Sequence, residues 1–544
     1  MLCVILAITK NTGIDMRKFI LLSAGFILLT LMHRCAVPPG PERGKAPTVR
    51  IGIVEAKENV TFTATDAFDV STHDGKFLLQ GNSGDKCQVY IEGAIPAEVK
   101  YQLVVKTAYD EQMAQQIQSD VNSKGLPAVI KRQRHRMVRN GRLGNFPVYK
   151  VCLQRIFNNE ISAKDYRQQI SSLLWTSVQP FIDKLPDGIM RLRNLANGEE
   201  VESRHYLRVS GNGFNLDVRV GEGYHFENTE TRSYTGLLNF VIDRFGKVTV
   251  VNSLPIEKYL SGVVASEMNP AAPIEAVKSQ SVAARGYTLS RLNMQHPLDP
   301  FDLCDEVHCQ VYGGTRRANE NTQRAVRETS GKVLMNENNI CETYYLAVCG
   351  GHTENNENVW DGKSLPYLRG IFDLPEEQVT VPEDFLFNER NVRRWIEEKP
   401  RVYCNLDLIE TPSYLEYAKK YFRWEVKHTQ YDMQRIIRAK SGKDVGQIID
   451  IIPRERGISG RLIKVEIKGT AGSFVIEKEL EIRKALSDNY LYSSCFVVDR
   501  VIYDGGVPSL FVIKGAGWGH GVGMCQTGAA VMAMKGSNYR DILE

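Results

Sequence analysis

The stretch from Asn252 to Met268 does most to limit how this chain folds. Pro255 suits a first helical turn, Pro270 stops the segment, and Ile256, Leu260 and Val263 mark an apolar stripe at helical spacing. The next member of that stripe is Glu267. A helix that buries the stripe must partly desolvate this carboxyl. Desolvation penalises the ionised form, so the pKa is expected to rise toward the range useful to a general acid or base. The alternative is a carboxylate paired with a buried arginine.

A second helix is expected from Ile274 to Leu292. Ala276, Gln280, Ala283 and Tyr287 share one side, which suits close packing on the first helix. Lys278, Ser281 and Arg285 share another, which is expected to face a cleft. Arg285 is thus a candidate ligand for a sugar or carboxylate, and also the cation that would turn Glu267 into a salt bridge. Far downstream, Lys514-Gly-Ala-Gly-Trp-Gly-His-Gly-Val-Gly-Met-Cys-Gln-Thr-Gly-Ala packs six glycines into one loop. Alternating glycines let backbone approach a ligand, Trp518 offers a flat face of the type that stacks on sugar rings, and His520 and Gln526 offer hydrogen bonds. A phosphate loop does not fit, because no Gly-Lys-Ser/Thr follows.

Three of four candidate metal ligands fall close together: Cys304, His308 and Cys309, with His296 shortly upstream. Two thiolates and two imidazoles make a tetrahedral zinc set, while a Cys304–Cys309 disulfide or two free thiols fit the spacing equally. Cys341 and Cys349 flank a strand-like segment and are either bridged or simply buried.

The 544 residues have ordinary apolar and charged fractions, which describes a globular chain of several domains. A net charge of +4 is too slight over this length to argue for nucleic acid, and leaves acidic or sugar-acid polymers open. Near the N-terminus, Arg17 and Lys18 precede the apolar run Phe19 to Met32. That run of roughly fourteen residues is shorter than the ~20 of a spanning helix and is expected to be an export signal, placing the protein in the periplasm or cell envelope. Cys35 stands where a lipid-anchored cysteine would, but His33 and Arg34 match such a processing site poorly. Ala36 to Ala46 follows as a tether, and Val49, Ile51 and Ile53 alternate as a first strand.

From about Ala97 to Leu174 the pattern runs strand, helix, strand, strand, helix: Tyr101 to Lys106, then Met113, Ile117 and Val121 at helical spacing, Pro127 to Lys131, Pro147 to Leu153, and Tyr166 to Leu174. The basic stretch Lys131-Arg-Gln-Arg-His-Arg-Met-Val-Arg is its expected hairpin. This pattern resembles a SPOR-like module, which implies binding to peptidoglycan glycan strands lacking stem peptides.

Four separated blocks carry a second resemblance: Leu254 to Met268; Ala276-Val-Lys-Ser-Gln-Ser-Val-Ala-Ala-Arg; Cys304 to Tyr312; and Gly515 to Ala529. Cys349-Gly-Gly-His-Thr-Glu, Val359-Trp, Phe422-Arg-Trp, Ser459-Gly-Arg and Phe496 add to it. Together they resemble the stage II sporulation protein D (SpoIID/LytB) family from about Lys247 onward. The resemblance implies a peptidoglycan lytic transglycosylase that cuts the MurNAc-β-1,4-GlcNAc bond to leave a 1,6-anhydro sugar, with Glu267 as catalytic acid. It also implies a structural or organising zinc at His296, Cys304, His308 and Cys309, while the residues themselves make Gln280, Arg285, Tyr287, Trp518, His520 and Gln526 the expected substrate contacts. The family includes amidase enhancers as well, so the competing implication is a peptidoglycan-binding activator of an N-acetylmuramoyl-L-alanine amidase. The family pattern runs on past Tyr539-Arg-Asp-Ile-Leu, whereas this sequence stops at Glu544.

The expected fold is multidomain α+β, a SpoIID-like mixed helix and sheet catalytic region with a small SPOR-like sheet-and-helix insertion. The expected divisions are 1–35 signal, 36–46 linker, 47–96 strand-rich region, 97–175 SPOR-like module, 200–370 core with Glu267 and the Cys/His cluster, 371–446 surface excursion, and 447–544 the remaining core with the glycine-rich loop. Gln447 to Val498 is expected to form successive strands turning at Arg456-Gly-Ile-Ser-Gly.

Overall fold

The computed structural model describes residues 47–544 apart from 140–141, 222–226, 293, 338, 376–377, 379–381, 383–384 and 503–505. The expected export signal and Cys35 lie outside the described residues, among which no helix is long and apolar enough to cross a membrane. The fold is α+β with several sheets. Its base is an eleven-stranded sheet in which the first strand, Thr48–Lys57, pairs antiparallel with Val248–Pro255, so that Val49 faces Leu254 and Ile51 faces Asn252. Val49, Ile51 and Ile53 point inward as their alternation requires. The strands of 47–96 are therefore not a separate region: they interleave with Tyr206–Val220 and Asn228–Ile242 in one sheet around Phe62, Phe68, Phe214 and Phe240.

The small module leaves this sheet and returns to it at one place. Strand Lys86–Ile95 pairs with Asp187–Asn194, and everything between them is inserted at that hairpin end. The insert has strands Glu98–Ala108, Ala128–Arg139, Arg142–Phe157 and Ser177–Lys184, with helices Glu111–Ser123 and Glu160–Gln169. Counted along the module, the strand order is 2-3-1-4, that of a split β-α-β sheet. The second helix begins earlier than Tyr166, because the Asn159 side chain accepts from the Ser162 N–H and sets the N-cap there. The closing strand Ser177–Lys184 also carries the module past the expected boundary at 175. The basic stretch does form one arm of a hairpin, from Ala128↔Leu153 to Arg139↔Arg142.

Three helices frame the centre: α1 (Ile256–Glu267), α2 (Ile274–Arg291) and α3 (Gln526–Met534). Strand Val248–Pro255 runs straight into α1 through Pro255, which is extended and cannot donate where a helix N-terminus needs no donor. Ile256, Leu260 and Val263 are buried, as the stripe requires. Helix α2 is buried nearly all round, with Ser281 and Arg285 as inaccessible as Ala276 and Ala283, so its polar side faces no cleft. Arg285 instead reaches Glu257 in the first turn of α1, with Nε–Oε1 3.0 Å and Nη2–Oε2 2.6 Å, and donates to the carbonyls of Lys332 and Val326. This two-pronged pair clamps α2 to α1.

Two further expectations need correction. Within the expected excursion at 371–446, the stretch 389–398 is not on the surface: helix Glu389–Glu398 buries Val392 and Ile396, and Trp395 Nε1 donates to the Gly350 carbonyl at 3.3 Å. Its charges occupy one face only, which hid the apolar face behind an acidic and basic composition. Between Ile448 and Ile502 the strands are interrupted by helix Glu479–Ala485, although the turn after Arg456 joins strands Ile448–Arg456 and Leu462–Gly469 as expected. These strands, with Trp424, Met433 and Phe511, surround a second, smaller core.

Because Arg285 is inaccessible and Glu257 is its carboxylate, Glu257→Gln should cost about 3 kcal/mol in a urea melt, the lower end for breaking a buried pair, since Glu257 keeps some exposure. A loss under about 0.5 kcal/mol would reduce the clamp to a surface ion pair.

Candidate active site around Glu267

Glu267 ends α1, where the helix meets the loop that carries the cysteine-histidine cluster. Its Oε1 accepts the Val311 backbone N–H at 2.6 Å. The Tyr345 hydroxyl lies in hydrogen-bonding reach of the same carboxyl and of Gln310 Oε1, 3.0 Å away, and its single proton serves one of them at a time. Gln310 is oriented in turn by Thr288, whose Oγ1 accepts from Nε2 at 2.9 Å. The residue is half-buried, and the protein packed round its carboxyl desolvates it. Burial pushes its pKa up to about 7, against the opposing pull of the Val311 amide and the Tyr345 hydroxyl. Among the described residues no basic side chain adds to that balance, because Arg285 is committed to Glu257.

The other site candidates take varied places. Gln526, the first residue of α3, donates from Nε2 to the Glu267 carbonyl at 2.9 Å and to Gln280 Oε1 at 3.1 Å, which ties all three helices together. Gln280 Nε2 is buried without a hydrogen-bond partner among the described residues. Tyr287 packs edge-on against Tyr344, centroids 5.7 Å apart, and is close enough to Glu267 to feel its charge. Arg285 is brought to α1 but not to this carboxyl, so it does not stand as a substrate ligand.

In the glycine-rich loop Gly517, Gly519, Gly521 and Gly523 all have positive φ, 83°, 114°, 93° and 80°, a path that side-chain-bearing residues rarely follow. The path lets Trp518 pair through its backbone with Val348, N–O 2.7 Å and O–N 3.1 Å. One face of the Trp518 ring lies against Tyr421 at 4.1 Å, so a single face at most is left to a sugar. His520 Nδ1 accepts the Val522 N–H at 3.0 Å, and its other nitrogen bonds the Tyr345 backbone. Both ring nitrogens are thus spent on holding the loop against the strand that presents Tyr345. Burial and the nearby Arg483 and Arg461 push the imidazole down to about 3, so His520 stays neutral.

His296, Cys304, His308 and Cys309 converge, one donor atom from each lying within 4.8 Å of the others. His296 Nε2 is 3.3 Å from Cys309 Sγ, and His308 Nδ1 is 3.7 Å and 3.6 Å from Cys304 and Cys309 Sγ. The other His296 nitrogen meets Asp299 Oδ2 at 3.1 Å, the carboxylate support that ligating imidazoles use. Cys304 and Cys309 are not bridged, nor are Cys341 and Cys349. The donor set fits a tetrahedral ion, and the loop it closes delivers Gln310 and Val311 to Glu267.

Sequence reasoning missed Tyr345, Gln310 and the Val311 amide. A backbone donor leaves no mark in a sequence, and Tyr345 sits in a two-residue strand, Tyr345–Leu346, too short to show a period. Gln310 was within reach, as the residue directly after Cys309.

Comparison with known proteins agrees with this arrangement. The family model described as "Stage II sporulation protein" matches residues 244–336, and one described as a domain of unknown function (DUF8618) matches 354–523. An uncharacterized protein of Brachyspira hyodysenteriae is 31% identical over 348 residues, 63% of this chain and 78% of that protein. The amidase enhancer of Bacillus subtilis is 30% identical over 296 residues, 52% of this chain but only 39% of that protein. Stage II sporulation protein D of Bacillus amyloliquefaciens is 26% identical over 309 residues, 54% of this chain and 73% of that protein. With α1, the cluster loop and Glu267 all inside the matched stretch, the chain belongs to the stage II sporulation protein D family.

Proposed function

We propose that the protein is a peptidoglycan lytic transglycosylase. The observation that carries this reading is a carboxyl at the end of α1 surrounded by protein and held by the Val311 amide, with no cation beside it among the described residues, a setting that pushes its pKa up. Hydrolysis of a glycoside ordinarily uses two carboxyl groups, the second to activate water or to attack carbon. A muramic residue supplies its own nucleophile, the C6 hydroxyl, so one carboxyl suffices. Protonated Glu267 gives its proton to the oxygen between C1 of N-acetylmuramic acid and C4 of N-acetylglucosamine, and the C1–O bond breaks. The resulting carboxylate then takes the proton of the C6 hydroxyl as O6 bonds to C1. The products are a 1,6-anhydro end and a free C4 hydroxyl, with no water consumed and Glu267 returned to its protonated state. Tyr287 and Trp518 are the groups assigned to the sugars, with Gln280 fully buried behind them and held by Gln526.

Zinc at His296, Cys304, His308 and Cys309, when bound, supplies no chemistry at the sugar. It fixes the loop whose Val311 amide and Gln310 side chain hold the acid. The split β-α-β module, with its basic hairpin, is assigned to glycan strands lacking stem peptides. The work is assigned to the cell envelope, in keeping with the export signal expected at Phe19 to Met32. The second reading, a non-catalytic activator of a wall amidase, draws on similarity to the amidase enhancer, of which the chain covers 39%.

Digestion of peptide-free glycan strands, followed by mass spectrometry, separates the two. The wild type should release anhydro products and Glu267→Gln should do so about 10²–10⁴-fold more slowly. Equal rates, or no anhydro product from wild type, would leave only the activator. The wild-type rate should be flat below the folded pKa and decline as pH rises through about 7, as the acid loses its proton. Tyr345→Phe removes a donor that favours the carboxylate, so that decline should move to higher pH. The same shift acts on stability. The folded pKa of about 7 lies above the ordinary 4.5, so the contribution is complete below 4.5 and is lost as pH rises through 7. Glu267→Gln should therefore melt above wild type at about pH 8, with the two converging by about pH 4.

A further inference from the structure

We propose that Cys349, Asp373, Cys404 and Cys525 form a second metal site, closed and of the zinc class, independent of the cysteine-histidine cluster. These residues come from four well-separated segments, the three cysteines buried and Asp373 half-buried, and each places a donor atom within 4.8 Å of the rest. Cys349 and Cys404 Sγ stand 3.5 Å apart and unbridged. The separation suits ligands of one tetrahedral ion, whereas an iron–sulfur cluster interposes its own sulfides between the cysteines.

The surroundings are arranged for sulfur that carries charge. The Cys349 N–H points at Cys525 Sγ at 3.3 Å, the Gly351 N–H at Cys349 Sγ at 3.4 Å, and the Gly528 N–H at Cys525 Sγ at 3.4 Å. Asp373 Oδ2 accepts the Cys404 N–H at 2.8 Å, which turns the carboxylate toward the thiols. Room for that carboxylate exists because residue 528 is glycine: a Cβ there would stand 2.4 Å from Asp373 Oδ1. Brought together in ionised form, these four groups would need a counter-ion in so enclosed a site, and a divalent ion is the economical way to supply it.

The ion would staple Cys349, at the turn after strand Tyr345–Leu346, to Cys525, the residue before Gln526. Gln526 touches Glu267 and Gln280, so this site would fix the far wall of the candidate active centre as the first cluster fixes the near one.

The test is metal analysis of the full chain purified without chelator, followed by exchange into cobalt(II). Wild type should hold a second equivalent of metal beyond that of the first cluster, and the chain carrying His296→Ala, Cys304→Ser and Cys309→Ser should still take up cobalt with a thiolate-to-metal charge-transfer band. Cys404→Ser in that background should abolish the band. Alkylation of the wild type, read by mass spectrometry, covers the case in which a variant fails to fold: Cys349, Cys404 and Cys525 should be shielded until chelator is added and all react afterwards. A metal content unchanged by Cys404→Ser, thiols that react equally with and without chelator, or a Cys349–Cys404 disulfide in non-reducing peptide maps would each overturn the proposal.

Discussion

The rest of the site depends on one arrangement, a carboxyl group largely taken out of water with no cation beside it among the described residues. Helix α1 carries glutamates near both ends, about 15 Å apart along its axis at the rise of an α-helix. Arg285 is spent on the first, Glu257, through two short contacts. The second, Glu267, is left with a backbone amide and a phenol, donors that hold an oxygen in place without forcing it to ionise. Had the arginine met Glu267, attraction would have drawn its pKa down, and no acid would remain near neutral pH. The clamp between α1 and α2 therefore does two things at once: it fastens the helices and removes the cation.

Around this carboxyl, rigidity comes from backbone rather than from long side chains. The glycine-rich loop follows a path of positive φ, bridges to Val348, and uses both nitrogens of a neutral His520 to brace the strand bearing Tyr345. The cysteine-histidine loop presents Gln310 and Val311 from the other side. Gln526 joins the end of α1 and the start of α3 to the body of α2. A small change in any of these would shift the acid relative to the glycosidic oxygen, and proton transfer tolerates little misplacement.

Much of this was legible in the sequence where a feature is local and periodic. The stripe Ile256, Leu260 and Val263 gave α1 and marked Glu267, and the spacing of Cys304, His308 and Cys309 marked their convergence. Long-range pairing was not legible. Nothing local distinguishes Arg285 as the partner of Glu257 rather than of Glu267, since both lie on the helix it packs against. Helix α2 is buried nearly all round, so its polar residues imitated a solvent face. The charges flanking Val392 and Ile396 imitated a surface excursion in the same way. Cys349, Cys404 and Cys525 lie too far apart in sequence for ligand spacing to reveal them, and only the fold brings them to Asp373.

The central claim is that the Glu267 carboxyl holds its proton near neutrality in the folded protein. Its most direct test is a carbon-13 NMR titration of chain labelled at the glutamate side-chain carboxyls, with the Glu267 signal assigned by its loss in Glu267→Gln. A midpoint of about 7 is expected. A midpoint at the ordinary 4.5 would contradict it, because the carboxyl would then be ionised at neutral pH and unable to start the cleavage.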